Sequence, residues 1–364
     1  MERWSADLAA GIEGLLRSAG TGASAAVAIV LRPGSPEPGD QVVVAVGEDA
    51  AGAPASVDTW FDLASLTKVL VTVPLVLGCM RQGLLDPDAP LEDLLPDVGW
   101  TWMPPTGTLA RATPMSLLCH ASGAAPTTPL YTWGVDERTA LYRVLHLPAG
   151  SPAPRTRDGV FDHNAYSDLG FIVLGEVIAR AMGTTFREAA AAYLARHADE
   201  HLAFAVPGGA AVAPMDHCGW RERDLVGEVH DRNAASLGGV APHAGLFGTA
   251  SGVAAAVARL ARPGPAFEEL ARLRSRGPAA DAAAPAPDRG LGWEIASPGW
   301  SGGSLARGRM IGQIGSTGTG AWAHESGQIA ILLTNCVTAV TTAQRAAVAS
   351  LRRRFVELTT ASSG

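Results

Sequence analysis

Phe61-Asp-Leu-Ala-Ser-Leu-Thr-Lys68 contains the only lysine of a 364-residue chain whose 28 strong bases are otherwise arginine. Arginine serves wherever positive charge alone is wanted, but a guanidinium stays protonated at any working pH and cannot accept a proton. The lone lysine therefore marks a place where a titratable amine is useful, three residues from the hydroxyl of Ser65. If Ser65 opens a helix, the side chain at i+3 lies on the same face, and amine and hydroxyl come within hydrogen-bond reach. That is an arrangement by which a serine becomes a nucleophile. The apolar residues Val69, Leu70, Val71 and Val73, with the positive end of the helix dipole, are expected to lower the lysine pKa and leave a neutral amine that acts as a base. Ser-x-x-Lys also arises by chance, so the rest of the chain has to support it.

A second element is Tyr166 in Asn164-Ala-Tyr-Ser-Asp168, just before a strongly apolar helical stretch. Its phenol can relay a proton between Ser65 and a leaving group. The competing reading is a half-buried structural tyrosine.

Working outward, helical spacing up to about Arg17 is followed by β-rich runs at Ala23–Leu31 and Gln41–Val46, joined by the turn-forming stretch 32–40. A hairpin is expected. The middle, from Val69 to about Leu273, is mostly apolar at helical spacing, broken by Pro and Gly clusters; Val69–Met80 reads as a buried core helix. Residues 276–289 are low in complexity and read as a linker. Strands return at Leu291–Ile295, Met310–Gly315, Gly320–His324 and Gln328–Thr334, before a closing helix from Thr342 to about Leu358. The fold expected is α/β in the α+β sense: an antiparallel sheet built from both chain ends, flanked by helices, with a large, mostly helical insertion. The corresponding division is 1–68 with 285–364 as the sheet domain and 69–284 as the helical one, the active site lying between them.

Composition narrows the function. At 37.4 kDa the chain can bury a large core. The formal net charge of −7 argues against a nucleic-acid surface, and the Arg352-Arg353-Arg354 cluster reads as the polar face of a terminal helix. Cys79, Cys119, Cys218 and Cys336 show no zinc spacing. Asp216-His217-Cys218 lacks an identifiable fourth ligand, so no metal and no cofactor are expected. Met1-Glu-Arg-Trp-Ser-Ala-Asp-Leu8 reads as a charged amphipathic helix rather than a secretory leader, and no apolar run is long enough to span a bilayer; the expected location is the cytoplasm, with no membrane partner.

Taken together, Ser65-Leu-Thr-Lys68 and Tyr166-Ser-Asp168 make the chain resemble the serine β-lactamase and penicillin-binding protein superfamily. The likeness is greatest to the branch of class C β-lactamases, esterases of that fold and related acyltransferases. Further segments occur in the expected order: Leu117-Leu-Cys-His-Ala-Ser-Gly123, Gly227-Glu-Val-His-Asp-Arg-Asn233, Gly238-Gly-Val-Ala-Pro-His-Ala-Gly-Leu-Phe247, Gly290-Leu-Gly-Trp293, and Gly312-Gln-Ile-Gly-Ser-Thr-Gly-Thr319. The resemblance implies Ser65 as nucleophile, Lys68 and Tyr166 as its proton-handling groups, and the backbone N–H groups of Ser65 and Ser316 as the oxyanion hole. It places Asp168, Gln313, Ile314, Gly315, His120 and His243 about the substrate. The family's third motif usually reads Lys or His, then Thr or Ser, then Gly; here it is Gln313-Ile314-Gly315. Loss of that polar pair implies weaker holding of a substrate carboxylate, as in β-lactams or D-Ala-D-Ala ends. Asp168 stands where Asn is commoner. If it faces Lys68 it favours the ammonium and shifts the base role to Tyr166; otherwise it caps the helix. His230-Asp231 and His243 could suggest a Ser-His-Asp triad, but no Gly-x-Ser-x-Gly elbow exists, and the resemblance gives these segments the site floor. The implied activity is acyl hydrolysis or transfer on a small-molecule ester or thioester, with an acyl carrier as a candidate donor. The alternatives are β-lactamase or D-amino-acid peptidase activity and a non-catalytic binding protein.

Overall fold

The computed structural model describes residues 2–33, 41–100, 109–197, 201–278, 286–303, 308–336 and 341–361. Six strands form one antiparallel sheet: β1 (Ala25–Leu31), β2 (Gln41–Gly47), β3 (Glu294–Ile295), β4 (Met310–Ile314), β5 (Gly320–His324) and β6 (Ile329–Thr334), in the order β2-β1-β6-β5-β4-β3. The chain's two ends meet at its centre, where Ala28 lies opposite Leu332 and Ile29 opposite Ile331. Both faces are covered, so these strands read as continuous apolar runs. The period of two still sorts them. Val27, Ile29, Ile329, Ile331 and Leu333 pack toward the helical region, while Ala28, Val30, Ala330 and Leu332 pack toward the terminal helices.

On that second face lie α1 (Glu2–Ser18) and, from the far end of the chain, a helix at Thr342–Ala361. Leu8, Ile12 and Leu15 recur at helical spacing to meet Leu351, Phe355 and Val356 over the sheet. The first face carries α2 (Val73–Arg81), α3 (Asp168–Met182) and α4 (Ala250–Leu260), and the terminal helix is hereafter α5. Helix α3 is mostly apolar and buried from Leu169 to Ile178, with Arg180 and Met182 exposed near its end, Ser167 capping its start and Gly183 in the left-handed conformation (φ 65°) closing it.

The hairpin, the core helix after Lys68 and the closing helix match their expected places. Two differences have physical reasons. Only Glu294 and Ile295 of the expected Leu291–Ile295 strand pair with a neighbour, because Gly292 (φ 76°) turns the chain so tightly against Val73 that a Cβ there would lie 2.6 Å from it. The middle region also contains an unexpected hairpin, Pro214–Cys218 with Arg223–Val226, and short strands at Phe61–Asp62, Leu202–Ala203 and Phe247–Gly248. Strands of two residues carry no periodicity; tertiary pairing alone defines them. Residues 34–40 of the first turn and 279–285 of the linker stretch lie outside the described residues.

Candidate active site

Ser65 is presented by a turn that the protein holds under backbone strain. Phe61–Asp62 pairs with Phe247–Gly248, and the chain then enters the helix through Ala64, whose φ of 46° is left-handed and unusual for alanine. Several bonds fix this conformation. Ala64 N–H donates to Asp62 Oδ1 (2.8 Å) and Leu63 N–H to Leu246 O (2.9 Å); the Thr67 hydroxyl donates to Ala64 O (2.6 Å) and the Thr317 hydroxyl to Asp62 O (2.7 Å). The turn that follows, Lys68–Thr72, is π-helical rather than α-helical, a local widening common at functional sites.

Lys68 is fully buried, and its three N–H groups have three acceptors: Ser65 Oγ at 2.9 Å, Asp168 Oδ1 at 2.7 Å and the carbonyl of His243 at 2.9 Å. Burial pulls its pKa down, but the charges and hydrogen bonds of Asp168 and Tyr166 outweigh burial and leave the pKa above the ordinary lysine value. This reverses the sequence expectation of a lowered pKa. The apolar neighbours in sequence are there, but so is a carboxylate one hundred positions away. Lys68 is an ammonium, and Ser65 Oγ accepts a hydrogen bond from it. The helix cap falls to Ser167, whose hydroxyl accepts from Gly170 N–H (3.0 Å), so Asp168 serves the lysine instead.

Tyr166 is flanked by two cations: Lys68 Nζ lies 5.1 Å from its ring centroid and the Arg289 guanidinium 5.0 Å. The His120 ring stacks on it at 4.4 Å, and Gln313 Nε2 approaches its hydroxyl at 3.3 Å. His120 is buried with φ 56°, and its Nδ1 accepts from Ser167 N–H (3.0 Å), tying it to the start of α3. Burial, then Arg289 and Lys68, push its pKa well down, so the ring is neutral and acts on Tyr166 and Ser167 by packing and hydrogen bonding. His243 is likewise buried: its carbonyl takes Lys68 and its Nε2 lies 3.2 Å from Asp231 Oδ1. The two histidines expected near the substrate thus brace Lys68 and Tyr166 from behind.

Strand alternation separates the third-motif residues. Gln313 turns to Tyr166, whereas Ile314 packs on the opposite face against the core under α1 and α5. Ile314 is therefore a half-buried residue packed on the outer layer, a correction to its expected place about the substrate. At Gly315 a Cβ would lie 2.3 Å from Thr319 Oγ1 and 2.7 Å from Leu63 O, so only glycine lets β4 approach the nucleophile turn. That approach brings the Ser316 peptide beside Ser65's turn. Arg352 holds the loop from behind, donating from Nη2 to the carbonyls of Gly315 (2.5 Å) and Thr319 (2.9 Å). It is buried, and burial lowers its pKa to about 10. Only Arg353 and Arg354 of the expected polar cluster are exposed.

Asp62 escaped sequence reasoning. Its carboxylate is buried and accepts from both Ala64 N–H and His230 N–H (2.7 Å), clamping the nucleophile turn to the 227–243 segment, and burial raises its pKa to about 6. An aspartate directly after a phenylalanine carries no signal of this. Among the described residues no group of three or more His, Cys, Asp or Glu could hold a metal; His217 pairs with Asp224 at 3.0 Å.

The chain belongs to the β-lactamase family, whose model matches residues 23–353. No curated protein sequence matches it. Among solved structures it is similar to SurE with D-Leu (TM-score 0.67, 22% identity, covering 98% of this chain and 77% of that one). It is also similar to EstCE1, a hydrolase with promiscuous acyltransferase activity (TM-score 0.68, 16% identity, 96% of this chain and 99% of that one). A third is the D-amino acid amidase from Ochrobactrum anthropi SV3 complexed with L-phenylalanine amide (TM-score 0.68, 16% identity, 97% and 98%). At these identities the likeness establishes the β-lactamase/transpeptidase-like fold.

Proposed function

We propose that this member of the β-lactamase family is a serine acyl hydrolase or acyltransferase that works through an acyl-enzyme on Ser65, with small-molecule esters or thioesters as substrates. The observation that carries the reading is the Lys68 ammonium, locked by Asp168 and the His243 carbonyl and aimed at Ser65 Oγ from 2.9 Å. In the acylation step Ser65 Oγ bonds to the acyl carbon, and the carbonyl electron pair moves to oxygen, facing the N–H groups of Ser65 and Ser316. The Oγ proton is relayed through the Tyr166 hydroxyl, whose ring is flanked by cations at 5.1 and 5.0 Å, while Lys68 keeps its own protons and steadies the serine oxygen. Tyr166 then returns that proton to the leaving oxygen or sulfur as its bond to the acyl carbon breaks. Water or an acceptor alcohol or amine resolves the ester by the reverse steps.

Gln313 supports neutral acyl groups, since a buried amide facing Tyr166 offers no cation to a substrate carboxylate. An acyl carrier is a donor of suitable chemistry, and a cytoplasmic setting fits that use. A second reading, cleavage of D-amino-acid amides, is favoured by the names of two neighbours, a D-amino acid amidase and a protein solved with D-Leu. The test is labelling of the pure protein by a fluorophosphonate probe with mass mapping, followed by turnover of p-nitrophenyl esters against D-amino-acid amides. Modification confined to Ser65 and lost in Ser65→Ala is expected. Labelling elsewhere, or equal turnover by the variant, would refute the nucleophile.

A further inference from the structure

Arg289 is buried, and its guanidinium lies 5.0 Å from the centroid of the Tyr166 ring. Backbone pairing delivers it there. Arg289 N–H donates to Ser275 O (2.8 Å), and its carbonyl accepts from the N–H groups of Arg274 (2.8 Å) and Ser275 (3.1 Å). The Ser275 hydroxyl in turn donates to Cys119 O (2.8 Å), one residue before the His120 that stacks on Tyr166. The side chain is held less completely than the backbone. Among the described residues Nε and Nη1 have no hydrogen-bond partner, and the one ion-pair partner, Glu294, is itself buried and stands off at 3.9 Å. Its other oxygen accepts from Ser301 N–H (2.9 Å). A guanidinium taken out of water needs close pairing and full hydrogen bonding to offset its desolvation, and a hydrocarbon of similar volume would occupy this place at lower cost. Local rules are broken in this way chiefly at functional sites.

We propose that Arg289 is a positioning residue for acylation, its charge clamping the Tyr166 ring so that the phenol oxygen stays in line between Ser65 Oγ and the leaving group. The role rests on the acyl-enzyme reading of Ser65, and Arg289 neither gives nor takes a proton in it. A cation within about 6 Å of an aromatic centroid is attracted to the electron-rich face of the ring. Tyr166 has two such cations, Arg289 and Lys68, together with the His120 ring at 4.4 Å. The hydrogen bond that Gln313 Nε2 donates to its hydroxyl is long, at 3.3 Å. Contacts to the ring therefore fix the orientation of the phenol more firmly than that bond does, and Arg289 supplies one of them.

Arg289→Met alone would strand Glu294 as an unpaired buried charge, so it is combined with Glu294→Gln and compared with Glu294→Gln alone. Thermal unfolding checks both; Arg289→Gln replaces Arg289→Met if the double variant does not fold. With p-nitrophenyl acetate, kcat should fall on the order of 10²-fold with KM little changed, the scale of a slightly misplaced catalytic group. Arg289→Lys, which brings an ammonium like that of Lys68 to the same ring, should recover most of that loss. In a Tyr166→Phe background the same pair of substitutions should change kcat less than about twofold, because Arg289 acts through the phenol. A loss of equal size with and without the Tyr166 hydroxyl, or kcat matching the Glu294→Gln control, overturns the proposal while leaving Ser65 acylation intact. Absence of Ser65 labelling in the wild type overturns the acyl-enzyme reading instead. The clamp is then read by fluorine NMR of the 3-fluorotyrosine-labelled protein, whose four tyrosines include a Tyr166 signal assigned by its loss in Tyr166→Phe. That signal should shift or broaden when Arg289→Met is added to Glu294→Gln, and an unchanged signal overturns the clamp.

Discussion

Removing the carboxylate from Lys68 separates a paired ammonium from a merely buried amine. In Asp168→Asn the Nζ atom keeps Ser65 Oγ and the His243 carbonyl but loses its counter-charge at 2.7 Å, in a side chain with no solvent exposure. Breaking a buried pair from one side costs roughly 3–5 kcal/mol, and because the Asp168 side chain is 25% exposed the lower end, about 3 kcal/mol, applies. With burial unopposed by that carboxylate, the Lys68 pKa falls in the variant. The sign follows from proton counts. In the wild type the folded pKa is raised, so the pair's contribution persists below the unfolded pKa near 10.5 and fades only as pH rises through the folded value. In the variant the folded chain holds fewer protons than the unfolded one, so its stability climbs with pH toward that same limit. The deficit should hold at about 3 kcal/mol at neutral pH and shrink as pH rises toward about 10.5. Urea unfolding of both proteins across that range measures it directly. A deficit that does not change between these pH values would show that Asp168 acts by shape and hydrogen bonding alone, and the ammonium assignment would fall with it.

Asp62 gives the opposite pH dependence. Its raised pKa means stability present below about 3.8 and lost as pH rises through about 6, so Asp62→Asn should gain roughly 3 kcal/mol relative to wild type between about pH 4 and pH 7; an unchanged difference in urea midpoints would refute the buried charge. Arg352→Met should lower kcat about 10²-fold with little change in KM, the scale of a displaced oxyanion donor; a purely structural arginine would show lost stability with kcat intact. The wild type should turn over neutral p-nitrophenyl esters with higher kcat/KM than nitrocefin, and Gln313→Lys should shift that ratio toward nitrocefin by roughly tenfold. Preference for nitrocefin in the unmodified protein would refute the ester reading and favour β-lactam hydrolysis.

The order of these effects explains what could be read in advance. Ser65 and Lys68 are one helical turn apart, and Tyr166 to Asp168 form a contiguous segment, so their meeting needs only local geometry and one long-range contact. The sheet was legible for a similar reason: β1 and β6 are long enough for hydrophobic runs to stand out, although the chain places them about three hundred residues apart. Lys68's charge was not legible. Sequence neighbours report desolvation, which lowers an amine's pKa, but the balance is decided by a carboxylate that arrives from α3, and the two terms have opposite signs. Arg352 shows the same gap from the other side, since three consecutive arginines look alike until packing against the turn at 315–319 buries one and leaves two in solvent. Asp62 is subtler still, because its importance lies in accepting two backbone N–H groups, and no spacing of side chains announces which peptides need an acceptor. The residues proposed to carry out the chemistry are thus marked by type and spacing, whereas those that set its charge state and geometry are marked only by burial. A variant library chosen from the motifs alone would therefore test Ser65, Lys68 and Tyr166 and miss Asp62 and Arg352, the groups whose removal alters the site while leaving every motif intact.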